Sequence, residues 1–154
     1  MRMSEYHEYR LHLRRLAGGS GELSSEDYEL PPLEVAPPPQ FGGPAGVWTP
    51  EHLFVASVAA CLMTTFQAVA SMSQLDILDY ADDPTGRLVK SEDRRYRFDL
   101  VVLRPRVVVD SETKAERARR LLEKAKEACL VSRSVSARVV VEPTIEVISR
   151  QPPT

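Results

Sequence analysis

The longest apolar pattern in the chain lies near its middle. Between Leu53 and Gln74 no residue carries a charge. Thr49 is a good N-cap, and Pro50 suits the first position of a helix. The pattern predicts a helix over about residues 50–73. Because this helix has no polar face, it requires packing partners on all sides.

The same run raises the question of a membrane span, since about 20 apolar residues can cross a bilayer. However, six serine, threonine or glutamine side chains interrupt it, and it has neither a basic flank nor an aromatic belt. We therefore interpret it as the central helix of a soluble protein without a membrane partner. One small chain offers little surface to cover such a helix, so the pattern favours a homodimer.

A second helical pattern begins at Asp110 or Ser111 and carries many arginines and glutamates on one face. Its apolar stripe repeats at helical spacing and consists of Ala115, Ala118, Leu121, Leu122, Ala125 and Ala128. Cys129 follows Ala125 by four residues and continues this stripe. We therefore expect Cys129 to face the interior, as Cys61 does from the first helix.

Alternating patterns predict strands on both sides of these helices. Residues 9–15, "YRLHLRR", predict the first strand, and a Gly-rich turn leads to the second. Residues 94–109 predict one long strand with an edge or bulge at Pro105. Two short strands are expected around a turn at 83–86, and one last strand is expected over 134–148. The order of elements predicts an α+β fold, with two central helices packed against antiparallel sheets in one domain over 1–154.

The composition limits the classes of function. The chain has 154 residues, 27% of them charged, and a net charge of -2, which gives no reason to expect a nucleic-acid partner. The first 15 residues are polar and contain no apolar core of a signal peptide, so we expect a cytoplasmic protein. In that compartment a pair of cysteines is more often catalytic, redox-active or metal-binding than structural.

Taken by themselves, the two cysteines leave several interpretations open. Both could be small buried core residues, because free cysteine is among the most buried residue types. A zinc site with a histidine is disfavoured, since no short Cys-x-x-Cys or His-x-x-x-His spacing is present. The histidines are His7, His12 and His52, and we expect none of them to bind a metal.

Three segments considered together give a more specific hypothesis. "FGGPAG", "TPEHLFVASVAACL" and "AKEACLVSRSVSARVVVEPTIEV" resemble the OsmC/Ohr family of thiol-dependent hydroperoxide reductases, and the resemblance extends over about residues 9–147. It implies that Cys61 is the peroxidatic cysteine and Cys129 the resolving one. It also implies a hydroperoxide substrate, an external dithiol as reductant, no cofactor, and an intertwined homodimer with its active sites at the subunit interface.

One departure from the family pattern indicates a divergent subgroup. In the family, an arginine in the N-terminal Gly-rich turn contacts the thiolate, and a glutamate holds that arginine. Glu51 matches the glutamate, but Ser20 stands where the arginine is expected. Cys61 lies too far along its helix for the dipole to activate it, so we expect a nearby cation. The candidate cations are Arg14, Arg15 and Arg133.

Glu51 lies ten residues before Cys61 on the same predicted helix, a separation of about 15 Å at ~1.5 Å per residue. We therefore expect Glu51 to act through a cation or across the dimer, or only to favour the helix N-terminus. The sequence predicts a peroxidase that forms a Cys61 sulfenic acid and a Cys61–Cys129 disulfide. The alternative is a protein without peroxidase activity that binds a small apolar ligand at the dimer interface or serves as a slow redox sensor.

Overall fold

The computed structural model describes residues 4–149, and the chain divides into two units, Met1–Phe54 and Val55–Thr154. The first unit is built on a three-stranded antiparallel sheet in the order β1-β2-β3. Its strands are β1 (Leu11–Arg15), β2 (Gly21–Ser25) and β3 (Leu33–Val35). A short 3-10 turn over Ala17–Gly19 joins β1 to β2, where Gly18 and Gly19 adopt positive φ angles that glycine tolerates best.

Helix α1 (Pro50–Met72) begins where the sequence predicts. The Thr49 hydroxyl accepts a hydrogen bond from the backbone N–H of His52 at 3.1 Å, as expected of an N-cap. The fully buried side chains repeat every three or four residues along one face, and they are Val58, Leu62, Phe66, Val69 and Ala70. By length and composition this helix could cross a membrane, and a third of its most apolar stretch is buried within the chain.

Within residues 4–149, the opposite face of α1 is left uncovered. Ala56, Ala60, Thr64 and Ala68 lie on this face and are exposed. One copy therefore covers one face of the helix, and packing on all sides, which we expected of a homodimer, stays a prediction.

The second unit contains two further three-stranded sheets, ordered β4-β7-β9 and β5-β6-β8. Their strands are β4 (Asp79–Asp82), β5 (Thr85–Lys90), β6 (Tyr96–Leu103), β7 (Pro105–Val109), β8 (Arg138–Val141) and β9 (Thr144–Val147). The pairs β4/β7 and β5/β6 are antiparallel, whereas β6/β8 and β7/β9 are parallel. The predicted α+β class is confirmed.

The single long strand predicted over 94–109 is wrong. β6 ends at Leu103, and β7 begins at Pro105 in the other sheet. Proline has no N–H for a strand ladder and is best placed at the first residue of a strand. The chain changes sheets at this point for that reason. The single strand predicted over 134–148 is also wrong, since this segment is divided into β8 and β9 in different sheets.

Helix α2 (Glu112–Ala128) begins at the predicted N-cap, because the Ser111 hydroxyl accepts from the backbone N–H of Lys114 at 3.3 Å. Four residues of the predicted stripe are fully buried, namely Ala115, Ala118, Leu122 and Ala125. Cys129 follows the helix and is 0% exposed. A short helix that the sequence pattern did not predict, α3 (Leu130–Arg133), begins directly after it.

Candidate functional site

Contacts between the α1 segment and the α2 segment bring the two cysteines together. The Arg117 guanidinium donates a hydrogen bond to the carbonyl oxygen of Ser73 at the end of α1. Arg117 lies 12 residues before Cys129, and Ser73 lies 12 residues after Cys61. Each separation of 12 residues corresponds to about 18 Å along a helix. The two thiols, which are free, therefore meet and hydrogen-bond each other.

The Cys61 sulfur lies in a half-buried position surrounded by hydrogen-bond donors. Burial alone raises the pKa of a thiol, because it penalises the charged form. Hydrogen bonds from the backbone N–H of Val131 and from the Cys129 thiol oppose this effect. The Thr65 hydroxyl, 4.0 Å away, and the backbone N–H of Leu130 act in the same direction. The net result is a Cys61 pKa below its usual value.

Cys129 has the opposite environment. Its fully buried position raises the pKa of its thiol, and the neighbouring Cys61 raises it further. The Ser132 hydroxyl donates a hydrogen bond to the Cys129 sulfur at 3.2 Å and offsets part of this increase. Cys61 therefore ionises more readily than Cys129. This asymmetry suits Cys61 as the nucleophile, because the thiolate is the reactive form.

The groups that lower the Cys61 pKa were not predicted from the sequence. The sequence led us to expect a cation, whereas the dominant donors in the second unit are neutral. Thr65 has a recognisable signal, since it lies four residues after Cys61 on one helix face. The N–H groups of Leu130 and Val131 leave no such signal in the sequence, because every residue except proline carries a backbone N–H. Arg133 ends α3 and is exposed.

The first unit contains a cavity of about 650 Å³, called the N-terminal cavity below. Most of its walls are apolar, and they include Leu13, Val35, Ala36, Pro37, Pro38 and Phe41. Arg14, Arg15, Ser20 and Glu51 also line it. This volume is within the range of small-molecule sites.

Glu51 and Ser20 both lie on this cavity, and neither forms the ion pair that the family pattern implies. The Ser20 hydroxyl is buried and donates to the Glu34 carboxylate at 2.6 Å. Arg14 pairs with Glu22 at 2.8 Å. One carboxylate oxygen of Glu51 is buried without a hydrogen-bond partner among residues 4–149. A buried carboxylate oxygen of this kind is suited to a donor from a ligand or from another chain.

The histidines have ordinary surroundings. The His52 ring contacts the Thr49 hydroxyl at 2.7 Å and the edge of Trp48. His7 forms an exposed pair with Glu5, and His12 lies on exposed β1. Within the described part of the chain, no group of three or more His, Cys, Asp or Glu side chains could hold a metal ion.

Comparisons with known proteins agree on one family. The family model described as OsmC-like protein matches residues 43–144. The chain is 25% identical to the organic hydroperoxide resistance protein OhrB of Bacillus subtilis, with a TM-score of 0.64 over 91% of this chain and 98% of that one. No curated protein matches the chain.

Two further solved structures share the fold. An OsmC-like protein of unknown function from Vibrio cholerae is 23% identical, with a TM-score of 0.75 over 92% of this chain and 99% of that one. An organic hydroperoxide resistance protein OsmC from Legionella pneumophila is 24% identical, with a TM-score of 0.72 over 94% of this chain and 100% of that one.

Proposed function

Because the chain belongs to the OsmC-like protein family, we propose that it is a thiol-dependent hydroperoxide reductase. Cys61 is the peroxidatic residue and Cys129 the resolving residue. The observation that carries this proposal is the hydrogen-bonded pair of thiols in which the Cys61 pKa is lowered and the Cys129 pKa is raised. A half-buried thiolate beside a buried neutral thiol is the arrangement that a two-cysteine reduction requires.

The chemistry has three steps. The Cys61 thiolate attacks the hydroperoxide, so that an S–O bond forms, the O–O bond breaks and an alcohol leaves after taking up a proton. Cys129 then attacks the resulting sulfenic acid, a disulfide forms and water leaves. An external dithiol restores both thiols by exchange. The names of the relatives from Bacillus and Legionella support organic hydroperoxides as the substrate class.

We also propose that the working form is a homodimer. β1 is exposed along its whole length and presents Leu11 and Leu13 to solvent. Trp48 is 52% exposed. Together with the uncovered face of α1, these side chains form more apolar surface than a soluble monomer usually exposes. A second copy would bury this surface. Glu51 would then receive a donor, either a cation or a group from the second copy, and affect Cys61 only indirectly.

The proposal is tested by the consumption of tert-butyl hydroperoxide in the presence of dithiothreitol. We expect Cys61→Ser to abolish consumption above that of the reductant alone. Cys129→Ser should still react once and stop at a sulfenic acid, which dimedone traps and mass spectrometry detects. Consumption that is unchanged in Cys61→Ser would contradict the proposal. Circular dichroism of each variant would show that the fold is retained.

The N-terminal cavity favours a second candidate function, the binding of a small apolar ligand without peroxidase activity. Its apolar walls and volume of about 650 Å³ support this alternative. The two functions differ in their dependence on Cys61. A ligand-binding protein would bind a fluorescent fatty acid equally well with Cys61→Ser, would lose that binding with Ala36→Trp, and would not consume the hydroperoxide.

A further inference from the structure

Two hydroxyl groups of the second unit have no role in the proposed reaction. The first belongs to Ser132, which donates to the Cys129 sulfur at 3.2 Å. The backbone N–H of Ser132 also hydrogen-bonds this sulfur. Ser132 is in α3, the same turn whose Leu130 and Val131 N–H groups contact Cys61. One turn of helix therefore supplies donors to both sulfurs.

The second hydroxyl belongs to Tyr80 on β4. Its oxygen is buried and has no hydrogen-bond partner among residues 4–149. The Tyr80 ring packs against Phe66 of α1 with ring centroids 5.8 Å apart, which fixes its direction. Burial raises the pKa of Tyr80, and the nearby Asp82 and Cys129 raise it further, so the hydroxyl keeps its proton. Tyr80 is thus a buried, protonated donor that contacts no acceptor among the described residues, whereas the Ser132 hydroxyl contacts the Cys129 sulfur directly.

A second unpartnered atom lies on the same strand. Asp82 is two residues after Tyr80, so both side chains point to the same face of β4. One Asp82 carboxylate oxygen accepts from the backbone N–H of Arg104 at 2.6 Å, and the other is buried without a partner among the described residues. Buried polar atoms of this kind are rare in folded proteins and often indicate a functional role.

We infer that Ser132 is a positioning residue for Cys129, whose hydroxyl group stabilises the Cys129 sulfur in the two steps in which that sulfur gains negative charge. This inference rests on the proposed function. Without such a donor, a fully buried sulfur would be a poor nucleophile and a poor leaving group, because burial penalises the thiolate. The Ser132 hydroxyl donates its hydrogen bond and keeps its own proton throughout.

The first of these steps forms the disulfide. The Cys129 sulfur bonds to the sulfenic sulfur of Cys61, and the S–O bond breaks with its electron pair on oxygen. That oxygen takes up the proton released by the Cys129 thiol and leaves as water. The second step is reduction. A thiolate of the external dithiol attacks the Cys61 sulfur, the S–S bond breaks, and its electron pair remains on Cys129, which is protonated from solvent.

The experiment separates the half-reactions in Ser132→Ala. Reduced protein is mixed with one equivalent of tert-butyl hydroperoxide. Mass spectrometry then follows the sulfenic acid, trapped by dimedone, and the disulfide. We expect sulfenic acid formation to stay within about twofold of the wild type, whereas disulfide formation falls by about tenfold in Ser132→Ala, the effect of losing one hydrogen bond to a charged group.

Ser132→Thr keeps the hydroxyl and should restore the rate of disulfide formation, and Ser134→Ala is the matched control, since the Ser134 hydroxyl donates to the Leu130 carbonyl instead. If Ser132→Ala does not slow disulfide formation, the inference is overturned.

A second measurement needs no peroxide and therefore distinguishes failure of this inference from failure of the proposed function. In the Cys61→Ser background, Cys129 is the remaining cysteine, and its thiolate absorbs in the ultraviolet. Adding Ser132→Ala should move the titration midpoint of this absorbance upward, and Ser132→Thr should move it back. An unchanged midpoint would overturn the role of Ser132 even in an active peroxidase. A shifted midpoint in a protein that consumes no hydroperoxide would overturn the proposed function alone.

Discussion

The backbone N–H of Val131 hydrogen-bonds the sulfur of Cys61, although 70 residues separate them in the chain. The contact exists because Cys129 continues the buried stripe of α2, and α3 begins directly after it with Leu130 and Val131 beside Cys61. A thiol in the middle of a helix, beyond the reach of its own N-terminal dipole, thereby gains donors from another element.

The pKa of Cys61 should lie below that of a free thiol, and the pKa of Cys129 should lie above it. Neutral donors lower the pKa of Cys61, whereas burial raises the pKa of Cys129. We expect iodoacetamide to alkylate Cys61 in Cys129→Ser with a pH midpoint below that of glutathione. The Cys129 midpoint in Cys61→Ser should lie above it. Peptide mass spectrometry identifies the site of alkylation. Midpoints in the reverse order would contradict the assignment of the nucleophile.

Removing the Val131 N–H should reduce the reactivity of Cys61. Val131→Pro deletes this donor, and a proline is tolerated in the first turn of a helix. Loss of a hydrogen bond to a charged group, about 1.5 kcal/mol, corresponds to a pKa increase of about one unit. We expect alkylation of Cys61 at neutral pH to slow by about tenfold.

Val131→Ala provides the control for this substitution, because it shortens the side chain and keeps the N–H. Its Cys61 should react at nearly the wild-type rate. If the proline and alanine variants are alkylated equally fast, the N–H of Val131 does not stabilise the thiolate.

Thr65→Val should have a smaller effect in the same direction. The Thr65 hydroxyl is 4.0 Å from the Cys61 sulfur, a long contact, and valine replaces it with a methyl group of similar size. We expect the alkylation midpoint of Cys61 to rise by a few tenths of a pH unit, since the lost hydrogen bond is weak. Thr64→Val is the matched control, because that hydroxyl donates to the carbonyl oxygens of Ala60 and Cys61. Equal shifts in both variants would argue against a role for Thr65.

Asp82 should make the stability of the fold depend on pH. Burial raises the pKa of its carboxyl in the folded protein, and the backbone N–H of Arg104 offsets only part of this. The folded state therefore binds the proton more tightly than the unfolded state does. The resulting stabilisation is full below the unfolded pKa of about 3.9 and is lost as the pH rises through the folded pKa.

The test of this pH dependence is the Tm of Asp82→Asn. Asparagine carries no charge, so the wild type should lose stability relative to this variant as the pH rises above about 4. Differential scanning calorimetry at several pH values measures the difference. Asp76→Asn, at an exposed position, is the control. A difference that does not change with pH would show that Asp82 titrates alike in the folded and unfolded states.

The sequence by itself determined the elements whose signals are local. Thr49 and Pro50 marked the start of α1, and Ser111 marked that of α2, because caps and helix periodicity depend on residues a few positions apart. The stripe of α2 also placed Cys129 in the interior. The family motifs then identified both cysteines as the site to examine, before any distance was known.

Only the tertiary structure decided which neutral groups surround each sulfur and which sheets the strands join. Pro105 marked a possible edge or bulge, but the transfer of β7 to a second sheet depends on its pairing with β4 and β9, which are distant in sequence. The Val131 N–H reaches the Cys61 sulfur through long-range packing. A backbone donor is the same in nearly every residue, so its direction is set by the fold and leaves no pattern in the sequence.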